Sequence, residues 1–313
     1  MKYILSALFF IIVLASAPAQ AAEYSLTIAR QHVTITGERV NAITVNGTIP
    51  GPTLTFQESE EVIVHVTNKM NEDTSVHWHG LLIPPFMDGS PGFNGFKGIK
   101  PNETFTYRFT PRQSGTYWYH SHSMGQEQEG LYGALIIQPK AKDPVKSDRD
   151  YVVMLSDFTD EKPMEIMGHL KMASDYYNRA RRTVGDFFDD SHKRGFKSAW
   201  QDAKDWGGMR MSQTDLADVS GYTFLTNGKT PDQNWTGLFK AGETVRLRFI
   251  NAAAMTFYDV RIPDLKMTVV AADGQNVEPV PVDEFRFGIA ETYDVLVTPP
   301  ENKPYTIVAE SLD

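Results

Sequence analysis

Two blocks of this sequence recur, in the same order, in its second half, and that recurrence restricts the architectures open to it. Glu60–Asn68 (EEVIVHVTN) aligns with Glu243–Asn251 (ETVRLRFIN). Farther on, ETFTYRFTPRQSGTYWYHSH from Glu103 aligns with ETYDVLVTPPENKPYTIVAES from Glu291, with one residue of slippage. Any two strands share alternation, but two ordered blocks at a similar offset indicate a duplicated unit. The period of two inside each block makes that unit a β domain.

The strand rhythm supplies the boundaries. From Tyr24 to Gln138 short alternating segments are separated by turn residues, with Tyr24–Ala29, His32–Thr36, Ala42–Val45, Val62–Val66 and Thr104–Thr110 reading as strands. No long helical pattern interrupts them, which predicts a sandwich over residues 22–138. Residues 139–149 (PKAKDPVKSDR) are polar, charged and proline-containing, and read as a linker. A second β domain is expected over residues 150–313. Its strands are Tyr151–Leu155, Tyr222–Thr226, Thr244–Ile250, Phe257–Ile262, Lys266–Ala271, Tyr293–Val297 and Tyr305–Ala309. Residues 162–211, rich in Met, Lys, Arg, Asp and Ala, predict a helical insertion punctuated by Gly195 and Gly207–Gly208. The fold class is therefore all-β: tandem Greek-key β-sandwiches with a helical insertion in the second.

Composition narrows the chemistry. The 313 residues carry 30 Lys+Arg against 39 Asp+Glu, a net charge of −9. Tracking a phosphate backbone calls for the opposite sign, so nucleic-acid binding is excluded. Cysteine is absent, which removes disulfides, thiolate zinc and iron–sulfur sites, cysteine nucleophiles and any copper site needing a thiolate. At the N-terminus Lys2, an apolar run from Ile4 to Leu14 and Ala19-Gln20-Ala21 compose a secretory signal peptide over residues 1–21. The run is short for a membrane span. A soluble exported protein is expected, periplasmic in a Gram-negative source, with no membrane association after cleavage.

Four of the eight histidines form two H-x-H pairs, His77-Trp78-His79 and His120-Ser121-His122. Random placement would give about 0.2 such pairs. On a strand, residues i and i+2 share a face, so each pair can aim two imidazoles at one spot. Four imidazoles with no thiolate point to copper or zinc. In the repeat, His77 and His79 fall near Val260 and Ile262, and His120 and His122 at Ala309 and Ser311, so the strands do not themselves require histidine. His32, His65, His169 and His192 read as background. Met164, Met167 and Met172 recur at helical spacing; they read as core packing on an amphipathic helix, with a soft Cu(I)-binding face as the alternative.

The segments HWHGLLIPPFMDGSPGFNGFKGIKP and ETFTYRFTPRQSGTYWYHSHSMGQEQEGLYGALII resemble the first domain of multicopper oxidases. DYYNRARRTVGDFF, DLADVSGYTFLTNG and LKMTVVAADGQNVEPVPVDEFRFGIAETYDV resemble the second domain of that family's copper-resistance branch, the copper resistance protein A type. The resemblance runs over nearly all of the chain after residue 21. It implies cupredoxin-like sandwiches, copper as cofactor, and O2 reduced to water at a trinuclear centre fed by a mononuclear blue copper. By motif, His77 would ligate the type 2 copper, and His79, His120 and His122 the type 3 pair. Asp88, in MDG after HWHG, matches an acid near that centre, where it would orient ligands or water and deliver protons; read alone, it is a turn residue. Glu127 and Glu129 follow HSH with no assigned role and default to surface carboxylates.

The departures from the family pattern matter as much. Family members carry a third domain whose HCH motif supplies the blue-copper thiolate and whose histidines complete the trinuclear site. This sequence ends at Asp313 without Cys, so a chain inactive alone, with a third cupredoxin domain as missing partner, is the expectation. Oxidation of Cu(I) or phenol-like donors is the leading reading, and a non-catalytic copper-sequestering protein the alternative. Two-domain laccases and nitrite reductases need a thiolate within their own chain, and the absence of Cys speaks against both.

Overall fold

A computed structural model describes residues 22–178, 182–209 and 217–312. The segment read as a signal peptide lies outside the described residues, as do residues 210 and 211 at the end of the expected insertion. The first half contains β1 (Ala22–Thr34), β2 (Arg39–Val45), β3 (Gly51–Gln57), β4 (Val62–Asn68), β5 (His77–His79), β6 (Thr104–Phe109), β7 (Gly115–His120) and β8 (Tyr132–Gln138). They form two four-stranded sheets, β2-β1-β4-β6 and β3-β8-β7-β5. Side chains from both, among them Phe56, Trp78, Tyr107, Tyr119 and Leu135, share one apolar core.

The second half begins with β9 (Arg149–Phe158). The helices α1 (Pro163–Met172), α2 (Val184–Arg194) and α3 (Phe196–Met209) follow. Then come β10 (Thr223–Thr226), β11 (Val245–Asn251), β12 (Tyr258–Arg261), β13 (Met267–Ala272), β14 (Gln275–Val282), β15 (Glu284–Phe287), β16 (Thr292–Val297) and β17 (Val308–Ser311). The sheets are β10-β9-β11-β16-β13-β14 and β15-β12-β17, with Leu247, Phe249, Tyr258, Val260 and Phe287 between them. The architecture is thus tandem β-sandwiches with helices inserted in the second. Local chemistry sets the helix ends: Thr183 and Asp186 make a reciprocal capping box at the start of α2, and Gly195, at φ 85°, ends it.

The duplication is visible at atomic detail. β4 lies parallel to β1 and antiparallel to β6, as β11 lies parallel to β9 and antiparallel to β16. Each repeat ends that central strand with a buried asparagine. Asn68 Nδ2 donates to the carbonyls of Glu72 (2.7 Å) and Ile99 (2.9 Å), and its Oδ1 accepts from Met70 N at 2.9 Å. Asn251 Nδ2 donates to Thr256 (3.0 Å) and Phe287 (3.1 Å), and its Oδ1 accepts from Ala253 N at 3.0 Å. A buried amide with its donors and acceptor all used fixes the crossover loop at that point.

Four sequence readings are corrected. Tyr24–Ala29 and His32–Thr36 belong to one continuous strand, because β1 pairs with β4 up to Ile28 and with β2 from Ile28 onward. The polar Arg30 between them is not a break: its guanidinium grips Glu129 with two bonds, 2.8 and 2.9 Å. The last strand starts at Val308 rather than Tyr305. The repeat alignment is one residue out of register at the histidines. The buried pair Trp78↔Tyr119 matches the core-facing pair Val260↔Ala309, so His77↔His120 matches Asp259↔Glu310. In the second repeat that face carries ion pairs instead, with Arg261 on Glu310 at 2.8 Å and Arg286 on Asp259 at 2.9 Å. Finally, Met164, Met167 and Met172 are exposed, and Ile166 is the residue α1 buries.

The halves meet across β11, which is buried on both faces. One face fills the second core. The other sets Arg246 and Arg248 against the first sandwich, around the buried carboxylate of Asp294. Asp294 accepts from Thr116 Oγ1 of β7 at 2.6 Å, from Arg248 at 3.3 Å and from Arg246. Asp143, in the linker stretch, reaches Arg246 at 2.7 Å, and Asp150 grips Arg248 at 2.7 Å. An apolar patch of Trp118, Tyr132, Ala134, Met154, Ile250 and Ala252 continues the contact toward the histidines.

Candidate metal centre

The site grows from the pairing of β5 with β7. His77 lies opposite His120, Trp78 opposite Tyr119, and His79 opposite Trp118. Trp78 and Tyr119 are wholly buried in the first core. Alternation therefore projects His77, His79, Trp118 and His120 from the opposite face of the sheet. His122 follows the end of β7 in a loop that Gln126 pins by bonds with Thr74 Oγ1 (2.7 Å), Ser121 Oγ (3.0 Å) and the Asp73 carbonyl (2.8 Å). The backbone N–H of His122 donates to Ser75 Oγ at 3.0 Å.

The ligating atoms of His77, His120 and His122 all lie within 4.8 Å of one another. His79 joins from the side, its Nδ1 3.2 Å from Nε2 of His120. The structure thus brings together all four imidazoles singled out in the sequence. Three share one focus, and the fourth touches one of the three. A trio of neutral imidazoles at that separation suits a borderline divalent ion such as copper or zinc.

Oxygen acceptors orient the rings. His77 Nδ1 faces the Asp88 carbonyl at 3.0 Å, its carboxylate at 3.2 Å and Ser90 Oγ at 3.3 Å. His120 Nδ1 faces Glu127 Oε2 at 2.5 Å and the Ser121 carbonyl at 3.2 Å. A ring that donates through Nδ1 offers Nε2 as its ligating atom. Gly89, at φ +87°, makes the approach of Asp88 possible, because a Cβ there would stand 1.8 Å from the Val76 carbonyl oxygen. Trp118 stacks on His120 with centroids 4.1 Å apart and planes 11° off parallel, and so walls the site on the side of the second sandwich.

Two contributors escaped the sequence reading. Glu127, by default a surface carboxylate, holds His120. Trp118 was one aromatic among many in a strand. Its position two residues before His120, on the same face, was the available signal. Glu129 has no part in the centre; it binds Arg30. Of the background histidines, His65 bonds Thr106 and Glu23, and His169 bonds Tyr177 and Glu161.

Burial, and after it the neighbouring histidines, disfavour the charged forms of His77, His79 and His122. His79 is lowered from 6.5 to about 4, first by burial and then by His120, His77 and His122. His77 is lowered by burial, against the pull of Asp88, and His122 by burial and its histidine neighbours. In the window from 6.5 down to about 4, the unfolded chain binds protons at His79 that the folded chain refuses. Stability without metal should therefore fall as pH drops through that window. Thermal melts at stepped pH are expected to show this slope, flattened in His79→Gln. Equal slopes in both proteins would contradict it.

The family description "Multicopper oxidase" matches residues 27–142, and a second match under that description covers residues 149–313. The chain is similar to Copper resistance protein A of Escherichia coli, 54% identical over 300 residues, which are 95% of this chain and 49% of that protein. It is also similar to Multicopper oxidase MmcO of Mycobacterium tuberculosis, 31% identical over 88% of this chain and 51% of that one. The chain spans about half the length of the curated relatives it matches. In fold it matches the crystal structure of Fet3p, a multicopper oxidase that functions in iron import, with TM-score 0.70 and 24% identity over 93% of this chain and 48% of that one. A laccase from Botrytis aclada matches with TM-score 0.66 and 28% identity over 92% of this chain and 48% of that one.

Proposed function

The chain belongs to the multicopper oxidase family, and we propose that its histidine cluster is the copper-binding part of a copper-resistance oxidase. The observation that carries this reading is the focus of His77, His120 and His122 within 4.8 Å, with His79 in contact. Likeness to Copper resistance protein A supports the copper-resistance assignment. His77 is assigned to a type 2 copper and His79, His120 and His122 to a type 3 pair. Bound copper would supply electron transfer to O2. The proposed reaction oxidises Cu(I) or phenol-like donors and reduces O2 to water. The domain division is proposed at residues 22–138 and 150–313, with 139–149 as linker and the sequence 1–21 as an export signal to the periplasm.

The protein's own residues have definable tasks. Glu127 and Asp88 hold His120 and His77 by Nδ1 and keep Nε2 free to ligate. Asp88 is half-buried beside His77 and is the acid placed to pass protons toward the cluster. Trp118 excludes water from one side of His120. Glu127→Gln is expected to weaken copper binding by about 10- to 100-fold without unfolding the sandwich. Copper titration against a competing chelator, with circular dichroism as the folding control, checks this. An affinity within about twofold of wild type would contradict it.

These 313 residues contain no cysteine, so no thiolate is available to give copper an intense blue absorption. The copper-loaded chain alone should bind copper without that band and should consume O2 negligibly. Addition of the other half of a longer relative should raise oxygen consumption with Cu(I) or a phenol as donor. Robust turnover by these residues alone would overturn the division of labour. Copper binding without any rescued turnover would favour the alternative, a copper-sequestering protein.

A further inference from the structure

Three Asn-Gly pairs occur in this chain: Asn46-Gly47, Asn94-Gly95 and Asn227-Gly228. The fold gives all three the same backbone. The asparagines lie at φ 52°, 53° and 50°, and the glycines at 84°, 81° and 76°. Each pair forms the middle of a four-residue turn closed by a backbone bond. Thr48 N donates to the Val45 carbonyl at 3.2 Å, Phe96 N to Phe93 at 3.1 Å, and Lys229 N to Thr226 at 3.0 Å. These are type I′ turns, which favour Asn-Gly because both central positions need positive φ. The three differ in what holds the asparagine side chain.

In two of the turns the amide is tied to a neighbouring strand. Asn46 Oδ1 accepts from Thr27 N at 2.7 Å, and its Nδ2 donates to the Ser25 carbonyl at 3.0 Å. Asn227 Oδ1 accepts from Met154 N at 2.8 Å, and its Nδ2 donates to the Val152 carbonyl at 2.8 Å. Their own backbone N–H groups bond the carbonyls of Thr27 (2.9 Å) and Met154 (2.8 Å). Asn94 lies in the loop between β5 and β6. Among the described residues no hydrogen bond reaches its side chain, its N–H or the N–H of Gly95. Exposure does not separate the sites, because Asn46 is exposed as Asn94 is. The two Asp-Gly pairs are held as well: the Asp88 carboxylate faces His77 Nδ1 at 3.2 Å, and Asp273 Oδ1 accepts from Thr292 N at 3.0 Å.

We propose that Asn94 is a self-modification site, where the backbone nitrogen of Gly95 attacks the side-chain amide and the residue becomes aspartyl or isoaspartyl without an enzyme. A bond forms between Gly95 N and Asn94 Cγ. The Cγ–Nδ2 bond breaks, and the Gly95 amide proton leaves with Nδ2 as ammonia. Water then opens the five-membered imide. Attack at the side-chain carbonyl returns a normal main chain with an aspartate; attack at the main-chain carbonyl gives the β-linked isoaspartyl form. Reaching Cγ requires rotation of the asparagine about its backbone and side chain. Asn46 and Asn227 must first break two side-chain bonds to rotate, and Asn94 has none to break. Gly95, without a Cβ, offers its nitrogen with little hindrance. The isoaspartyl form adds a backbone carbon inside the turn that closes on buried Phe96. That loop also presents Asp88 and Ser90 to His77.

The experiment ages the purified protein in mildly alkaline buffer at physiological temperature. Mass spectrometry follows each Asn-Gly peptide, and labelling by an isoaspartyl methyltransferase counts the β-linked product. Asn94 is expected to convert at least about tenfold faster than Asn46 or Asn227, which each hold two side-chain bonds. In urea those bonds are lost, and the three rates should converge to within about threefold. Asn94→Gly keeps a residue that tolerates positive φ and should abolish the label in the folded protein. Three results would overturn the proposal: Asn94 unchanged in the folded protein while it reacts in urea, Asn46 or Asn227 reacting as fast as Asn94 in the folded protein, or a tenfold difference that persists in urea.

Discussion

Asp294→Ala is expected to lower the unfolding free energy by ~3–5 kcal/mol, the cost of removing the buried carboxylate that two buried cations share. Asp294 is 1% exposed, and Arg246 and Arg248 are each 3% exposed. The carboxylate is the group both guanidiniums share; Asp143 and Asp150, which complete the network, are more exposed and sit at its rim. Truncation leaves two positive charges facing each other where water has little access. Replacing the trio by apolar residues of similar size should cost much less, because it removes the charges as well as the pairing. Urea denaturation of the three proteins checks both statements. A loss below about 1 kcal/mol for Asp294→Ala would show that water reaches the interface. The same network ties the first sandwich, through Thr116, to the strand that anchors the second.

The second large effect concerns the metal. Changing His77, His79, His120 and His122 together to Ala should weaken copper binding by more than about 100-fold, since loss of orienting partners alone costs ~10–100-fold. The fold should survive, because His77, His79 and His120 lie on the sheet face opposite the first core and His122 lies in the loop after β7. Equilibrium dialysis against buffered Cu(II) measures the first point and a thermal melt the second. Equal copper stoichiometry in wild type and variant would remove the cluster from the account.

The site was legible because strand periodicity is simple: i and i+2 share a face, and two H-x-H pairs on neighbouring strands must meet if the strands pair. Glu127 was not legible, since it reaches His120 from a loop whose path depends on Gln126 and its hydrogen bonds. The all-β class and the repeat could be read from alternation. The register between repeats could not, because alternation is satisfied equally by offsets that differ by two, and a gap of one exchanges the faces. Only the burial of Trp78 and Val260 decides it. The exposed methionines of α1 show the limit of helical spacing. Spacing marks a stripe, and whether another element covers that stripe is a tertiary fact. Arg246 and Arg248 make the same point in reverse, because a polar stripe on β11 meets another sandwich instead of water.

The most direct measurement is an anomalous difference map at the copper edge from crystals of the copper-loaded protein. The predicted result is density bounded by His77, His120 and His122, with His79 alongside. Copper found elsewhere, for instance on the exposed methionines of α1, with no density at the histidines, would contradict the assignment.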